Sequence, residues 1–196
     1  MLKNLNWAKQ NLSKKFSDVS NWGTFPCVLK ITSNRVLHKT DIGGVKIVYA
    51  KSDFEKAYNE LIKVIKLKRL NDAKILIREY VDGKELILGI KKDEVFGHIV
   101  LLGMGGVLTE LIDDVSIRKC PIEKEEVVKM IEELKFKKLL YGYRDKSRVN
   151  VNSVIDAVVK VSNLPKKYPK INELDINPFI VNSKEGKVCD ARIVLN

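Results

Sequence analysis

Cysteine is scarce in this chain, and its three copies, Cys27, Cys120 and Cys189, lie far apart. No CxxC pair occurs, so neither a disulfide framework nor a thiolate zinc site is supported, and buried structural thiols account for all three. No apolar run approaches the roughly 18 residues that span a bilayer. The opening residues, Met1-Leu2-Lys3-Asn4-Leu5-Asn6-Trp7, hold no extended apolar segment followed by a small-residue cleavage site, so a cytoplasmic location is expected. Low-complexity tracts, internal repeats and long linkers are missing as well. Acids are the minority, with 25 Asp+Glu against 36 Lys+Arg and a net charge of +11. That excess could serve nucleic acid, an anionic surface or a polyanionic small ligand. The lysines are scattered, however, as in Lys63, Lys66 and Lys68 or Lys135, Lys137 and Lys138. No Arg-rich tract or nucleic-acid module accompanies them, so most of the charge reads as solvated helix faces, with neither nucleic acid nor membrane as partner.

What remains is a chain of 196 residues, 45% apolar and 31% charged, long enough for one domain or two small lobes with a real core. Leu5, Ala8, Leu12 and Phe16 recur at helical spacing and predict a helix over 5–16. Strands are expected at 27–31 and 46–48. Ser52-Asp53-Phe54-Glu55 has the form of a capping box opening a helix to about Lys68. Three β-rich runs follow at 74–81, 85–91 and 96–102. Asp82-Gly83 signals a hairpin between the first two and Lys92-Asp93-Glu94 turns the next, so the three read as an antiparallel meander. A glycine-rich connection, Gly103-Met104-Gly105-Gly106, leads into an apolar run at 107–111 and a charged stretch at 113–118. Helices are expected over 123–140 and from Asn152-Ser153 to just before Pro165. Two last strands, 178–181 and 187–194, are joined by the turn at 182–186. The pattern is α+β.

Chemistry concentrates in a few places. Val36 to Val45, Val-Leu-His-Lys-Thr-Asp-Ile-Gly-Gly-Val, sets His38, one of only two histidines, in a polar loop hinged by Gly43 and Gly44. A neutral imidazole is a good nucleophile near pH 7, and paired glycines let backbone N–H groups approach phosphate oxygens. A capped turn with a surface histidine is the alternative. Lys30 ends an apolar run and either snorkels to the surface or offers a fixed cation. Glu79 and Glu85 flank a tight turn, where they suit an adenine amino group and ribose hydroxyls or simply guard an edge strand. In Asn172 to Pro178, alternation turns Glu173, Asp175 and Asn177 to one side of a strand. Pairing of the last two strands would bring Asn177 and Asp190 together. Hard oxygen donors on adjacent strands suit magnesium, and Arg192 on the same face suits a transferring phosphoryl group. A polar network is the competing account.

These segments, in order, resemble the ATP-grasp β subunit of ADP-forming acetyl-CoA synthetase, within the acyl-CoA synthetase (NDP-forming) superfamily. The resemblance runs from about Phe25 to Leu195. It rests on Val28-Leu29-Lys30-Ile31 with His38 to Val45, on Gly83-Lys84-Glu85-Leu86-Ile87-Leu88-Gly89, on Phe96-Gly97 through Gly106, and on Glu173 to Pro178 with Asp190-Ala191-Arg192. It implies an ATP-grasp fold of two lobes with a nucleotide between them. Residues 1–78 would form a small, shortened N-terminal lobe bearing the phosphohistidine loop, and 79–196 a large lobe bearing the magnesium site. Lys30 would meet the phosphates, Glu79 with the backbone at Tyr80 and Val81 the adenine, and Glu85 the ribose. Gly105 and Gly106 would belong to a phosphate-side loop with Glu110 behind it. Asn177, Asp190 and Asp175 would hold Mg2+, and His38 would carry the phosphoryl group between ATP/ADP and an acyl phosphate. The full reaction would need an α subunit with the CoA-binding and acyl-phosphate-forming domains, in a heterotetramer. His98 reads as a polar surface residue rather than a second carrier. A non-catalytic nucleotide-binding module and a succinate-type β subunit share the fold; the Gly-Lys-Glu-Leu-Ile-Leu-Gly and His-Lys-Thr-Asp blocks match the acetate type better.

Overall fold

A computed structural model describes residues 1–33, 42–106, 114–142 and 148–196. The apolar run at 107–111, His38 and Glu110 lie outside the described residues. The chain forms two compact units, Ala8–Tyr80 and Met1–Trp7 together with Val81–Asn196. Expectation divided it after residue 78; here the first seven residues join the later segment through a bridge from Trp7 to Val188.

The first unit is a four-stranded antiparallel sheet in the order β1 (Gln10–Ser13), β4 (Lys74–Glu79), β2 (Cys27–Thr32), β3 (Val45–Val48). Helix α1 (Lys51–Leu67) covers one face. Strict alternation drives this packing: Cys27, Leu29 and Ile31 on β2, and Ile75 and Ile77 on β4, are fully buried. Phe54, Tyr58 and Leu61, spaced three to four apart, form the buried stripe of α1. Phe16 and Phe25 close the layer against the Phe54 ring, both with centroids 5.6 Å away.

Two expectations fail in this unit. No helix occupies 5–16; residues 10–13 form edge strand β1, and Phe16–Asp18 make a single 3-10 turn. The apolar spacing was helical, but β4 offers an open edge, and its ladder pairs Gln10 with Arg78 and Ser13 with Ile75. The Ser13 hydroxyl also accepts the Lys15 N–H at 3.0 Å, a local turn that competes with helix. The Ser52–Glu55 capping box does not form either. The helix begins two residues earlier, at Lys51, with Ala50 at the N-cap and no side-chain cap.

The second unit is a six-stranded sheet in the order β10 (Ala191–Leu195), β8 (Ile171–Val181), β5 (Lys84–Asp93), β6 (Gly97–Met104), β7 (Val115–Lys119), with β9 (Gly186–Val188) also on β8. One face packs against α2 (Lys124–Glu133) and α4 (Val151–Ser162). Leu86, Leu88, Ile90, Val100 and Leu102 meet Val127, Met130, Val154 and Val158 there. Asn150 caps α4, its side chain accepting the Ser153 N–H, so this helix starts slightly before the expected Asn152. After α4 comes a single short turn of helix, α5 (Leu164–Lys167), with Pro165 inside it rather than beyond the helical region.

The expected Asp82-Gly83 hairpin is absent. β4 and β5 belong to different sheets, and residues 80–83 carry the chain from one unit to the other. Gly83 is required for another reason: a Cβ there would lie 2.4 Å from the Val181 carbonyl oxygen. The β5–β6 hairpin does form, but its turn lies at 94–96 rather than 92–94, because Lys92 and Asp93 pair with His98 and Gly97 in the ladder; β7 extends the hairpin into a meander. Beyond β7, the expected helix over 123–140 is two helices, α2 and α3 (Lys137–Tyr141), broken where Leu134 turns extended. The buried Asp114 carboxylate explains the break, accepting the N–H groups of Lys135 at 3.0 Å and Phe136 at 2.8 Å. Asp114→Ala should strand both donors and cost about 2 kcal/mol. Thermal unfolding should fall by roughly 5 °C, and an unchanged midpoint would contradict this role.

Candidate functional site

Lys30, Asp175, Asn177 and Arg192 are found on the sheet faces that no described helix covers. In the second unit, Leu174 and Ile176 on β8 point into the core, while Glu173 and Asn177 are exposed and Asp175 is half-buried on the other side. Asp175 pairs across the ladder with Gly89 on β5 and Arg192 on β10. Gly89 has no side chain to cover the carboxylate, and Arg192 stands beside it as a cation.

A register shift between Leu86 and Leu88 lets Asn177 and Pro178 bulge against a single β5 residue. On the opposite side of β8, the Asn177 N–H donates to the Asp190 carbonyl at 3.2 Å, and the Cys189 N–H donates to the Pro178 carbonyl at 3.0 Å. The structure therefore brings Asn177 and Asp190 together. Partial burial raises the Asp175 carboxyl above its usual 3.8, Glu173 and Asp190 push it the same way, and Arg192 opposes them.

Such an oxygen-rich, negatively biased patch, two carboxylates and an amide, has the donor chemistry of a hard divalent cation. Among the described residues, no group of three or more His, Cys, Asp or Glu side chains is close enough to bind a metal by itself. An ion here would therefore take part of its shell from water or phosphate.

The raised Asp175 also has a consequence for stability. Its folded pKa exceeds the unfolded value, so the charged form is disfavoured by folding. The penalty is absent below the unfolded pKa, grows as pH rises from there to the folded one, and is complete above it. Asp175→Asn should consequently raise the thermal midpoint at pH 7, with the gain vanishing below about pH 3.8. Calorimetric scans across that range check it, and an equal gain at every pH would refute the cause given.

Glu85, Gly105 and Gly106 form the second cluster of this unit. The Gly105 N–H donates to the Glu85 carbonyl at 2.8 Å. A Cβ on Gly105 would lie 2.7 Å from the Leu86 carbonyl carbon. One on Gly106, whose φ is +75°, would meet the Glu85 carboxylate at 2.3 Å. The glycines bring the chain directly against the acid expected to meet the ribose.

In the first unit, Lys30 points away from α1. It pairs with Val45 on β3 and Leu76 on β4, between the buried Leu29 and Ile31. The neighbouring Lys46 faces the other way and bonds to Glu60 of α1, which confirms the pleat. Gly44 extends the stem of the histidine-bearing segment, accepting the Ile31 N–H at 2.8 Å, while Gly43 is exposed at φ +67°. Ser33, where that segment leaves β2, donates to both Asp72 carboxylate oxygens at 2.9 and 3.0 Å.

Glu79 is not placed beside Lys30. It falls on the Ile75–Ile77 side of β4, and its carboxylate accepts the Lys9 N–H at 2.7 Å. The Tyr80 N–H is likewise engaged, donating to the Pro26 carbonyl at 2.9 Å, although the ring is 39% exposed. Val81, the next residue, opens the second unit and is half-buried. The residue on the Lys30 side is Arg78, which sequence reading passed over. Alternation within Lys74–Glu79, with Ile75 and Ile77 inward, was the signal for it.

The second histidine, His98, is tied through Nε2 to the Ile171 carbonyl at 2.7 Å. Cys27 and Cys120 are pushed up to about 11 by burial, so neither thiol is a ready nucleophile. Cys27, Cys120 and Cys189 are all free.

Residues 11–195 match the family model of the ATP-grasp domain. The chain is 38% identical over 178 residues to the β subunit of acetate–CoA ligase [ADP-forming] I of Pyrococcus furiosus, covering 87% of this chain and 75% of that subunit. It is 36% identical over 181 residues to acetate–CoA ligase [ADP-forming] I of Archaeoglobus fulgidus, which covers 91% of this chain but only 26% of that longer protein. The chain thus spans about a quarter of that relative. Among solved structures, the acetyl-coenzyme A synthetase 1 of Ca. Korarchaeum cryptofilum, in complex with coenzyme A and Mg-AMPPCP and with its phosphohistidine segment pointing towards the nucleotide binding site, superposes with a TM-score of 0.84. That match has 34% identity and covers 98% of this chain and 86% of the other. No described helix is long and apolar enough to cross a membrane. The four-stranded and six-stranded antiparallel sheets, the ordered motifs and these likenesses agree: the chain belongs to the ATP-grasp domain family and, within it, groups with the β subunits of ADP-forming acetate–CoA ligases.

Proposed function

We propose that this chain is the nucleotide-handling subunit of an ADP-forming acyl-CoA ligase, acting in the cytoplasm, and that it passes a phosphoryl group between ATP/ADP and His38. The observation that carries the reading is the placement of Lys30, Asp175, Asn177 and Arg192 on uncovered sheet faces by strands whose opposite sides are core. Lys30 neutralises phosphate charge, and Glu85 with the Gly105–Gly106 turn meets the ribose and phosphate side. Glu79, through the end of β4, and the backbone of Tyr80 and Val81 shape the base end. The adenine contact there comes from carbonyl groups and side-chain surface, since the Tyr80 N–H is already engaged. Asn177, Asp190 and Asp175 would hold Mg2+, which supplies neutralising charge for the phosphates. Arg192 stands beside them to meet the equatorial oxygens of the transferring group.

The transfer balances as two displacements. Acyl-CoA and phosphate give an acyl phosphate and CoA on a partner subunit. A His38 ring nitrogen then attacks the phosphorus, forming the P–N bond as the bond to the acyl oxygen breaks. A terminal oxygen of ADP next takes the group, restoring the imidazole and forming ATP. The labile P–N bond keeps the intermediate from becoming a trap, and Gly43 and Gly44 give the carrier segment its hinge. The CoA-binding and acyl-phosphate-forming steps belong to an α subunit, in a heterotetramer.

Reconstitution tests this reading. The chain with acetyl-CoA, ADP, phosphate and magnesium should yield no ATP alone, and should yield ATP once an α subunit is added. ATP formation only with succinyl-CoA would favour the succinate-type ligase. Nucleotide binding without turnover under any combination would mark a non-catalytic module.

A further inference from the structure

We propose that the tip of the β5–β6 hairpin, Val95 with Phe96, is the knob that seats this chain in an apolar pocket of the α subunit. The inference rests on the subunit reading above and deepens it by locating the contact. Val95 is 83% exposed and Phe96 60%, two apolar side chains in succession at one turn. Phosphoryl transfer makes no use of them, although Phe96-Gly97 opens one of the motifs that carry the family likeness.

Register makes the tip project. Lys91 is the last β5 residue paired with β8, through Glu173, and Ile99 is the first β6 residue paired with β7, through Lys119. The ladder continues past both neighbours through Lys92–His98 and Asp93–Gly97, which carries the turn about 6.6 Å further. His98 braces the base: its carbonyl accepts the Cys120 N–H at 2.8 Å, and its Nε2 is 2.7 Å from the Ile171 carbonyl. The turn itself is fixed by Asp93, whose Oδ1 accepts the N–H groups of Val95 and Phe96, both at 2.8 Å. Gly97, at φ +75°, closes it in the left-handed region. An aromatic ring on a braced, projecting turn is positioned before binding, so little ordering entropy opposes its burial.

Charge and the share of the ligase that this chain represents point to the occupant. Lys91, Lys92, Lys119 and Lys170 are exposed at this end of the sheet, against Glu94 and Glu173, while Asp93 is committed to the turn. A basic rim around an apolar knob fits an apolar pocket with acidic edges. The chain spans 26% of its single-chain relative from Archaeoglobus fulgidus, so on the subunit reading most of the ligase packs against it from a partner. Two side chains supply only part of the roughly 800 Å² that each side buries in a stable complex. The tip is the anchor of that wider contact, where a few well-packed aromatics dominate the affinity.

Sedimentation of the full chain with the α subunit tests the contact in wild type, Val95→Ser/Phe96→Ser, Phe96→Leu, Asp93→Ala and Leu67→Ser. The double variant should weaken association by about thirtyfold or more, and Phe96→Leu should retain most of it. Asp93→Ala keeps both side chains but frees the turn, and should cost about fivefold. Leu67, 79% exposed on α1, is the control: Leu67→Ser removes comparable apolar surface elsewhere and should stay within about twofold. The double variant alone should still be labelled by γ-labelled ATP, and ATP synthesis should return to the wild-type rate at saturating α subunit, which separates lost docking from misfolding. A photo-crosslinking side chain at position 96 should join the α subunit. Association of the double variant at wild-type strength overturns the assignment. So does an equal loss in Leu67→Ser, or crosslinking between two copies of this chain in place of the α subunit. A wild-type chain that neither binds an α subunit nor yields ATP with one defeats the subunit reading itself, and this contact with it.

Discussion

Replacing Asp190 by alanine is expected to lower phosphoryl transfer from ATP by a factor of about 10² to 10³ while leaving the fold intact. The argument is geometric. Asp190 lies in the short connection between β9 and β10, and its carbonyl accepts the Asn177 N–H at 3.2 Å. Its carboxylate is near enough to Asp175 to raise that group. Only the side chain is lost in the variant, so the backbone link to Asn177 persists and far-ultraviolet circular dichroism should match wild type. What disappears is one of two carboxylates in the oxygen-rich patch. Magnesium should therefore strengthen ADP binding in wild type and do so far less in the variant. Two calorimetric series, with and without the ion, measure this directly. An unaltered magnesium effect would remove Asp190 from the site.

Gly105→Ala should be severely damaging for a single added methyl group. The new Cβ would lie 2.7 Å from the Leu86 carbonyl carbon and 2.8 Å from its oxygen, and neither atom belongs to a flexible side chain. Relief requires β5 and the Gly105–Gly106 turn to separate, which breaks the hydrogen bond to the Glu85 carbonyl. Overpacking of this kind costs about 3 kcal/mol, against a total stability on the order of 10 kcal/mol. The midpoint should drop by roughly 10 °C, and Glu85 should shift with the turn, weakening nucleotide binding as well. Gly106→Ala meets only the mobile end of Glu85, although its φ of +75° adds strain, so it should disturb binding more than folding. Equal stability of wild type and Gly105→Ala would contradict the close approach on which this cluster depends.

How much of this was legible beforehand follows the range of the interactions involved. A strand with one buried face declared itself by alternation in Asn172 to Asn177, because the period of two fixes which side is core. Asp175 and Asn177 were found by the same rule and stand on the side of β8 away from the core, whereas Lys30 drew attention only as the lysine that ends an apolar run. The pairing that joins Asn177 to Asp190 was legible too, since the turn at 182–186 leaves little choice of partner.

The failures share a cause in contacts distant along the chain. Leu5 to Phe16 has helical spacing, yet the open edge of β4 captures residues 10–13 as a strand. Asp82-Gly83 has hairpin chemistry, yet its flanking strands join different sheets, and Gly83 answers to the Val181 carbonyl a hundred residues away in sequence. The break after α2 is set by Asp114, whose carboxylate reaches two backbone donors that no local pattern reveals. Glu79 was singled out with no regard to its face; the pleat of β4 turns it to the α1 side and puts Arg78 on the side of Lys30. Counting alternation back from Ile77 would have exposed this, because Arg78 and Glu79 cannot share a face.

The central claim is that one imidazole on this chain accepts phosphate from a bound nucleotide, and incubation with γ-labelled ATP and magnesium tests it most directly. The label should appear on the protein, survive alkali, be lost in acid, return to ATP when ADP is added, and be absent from His38→Ala. Label that survives acid, or that persists undiminished in His38→Ala, would contradict it.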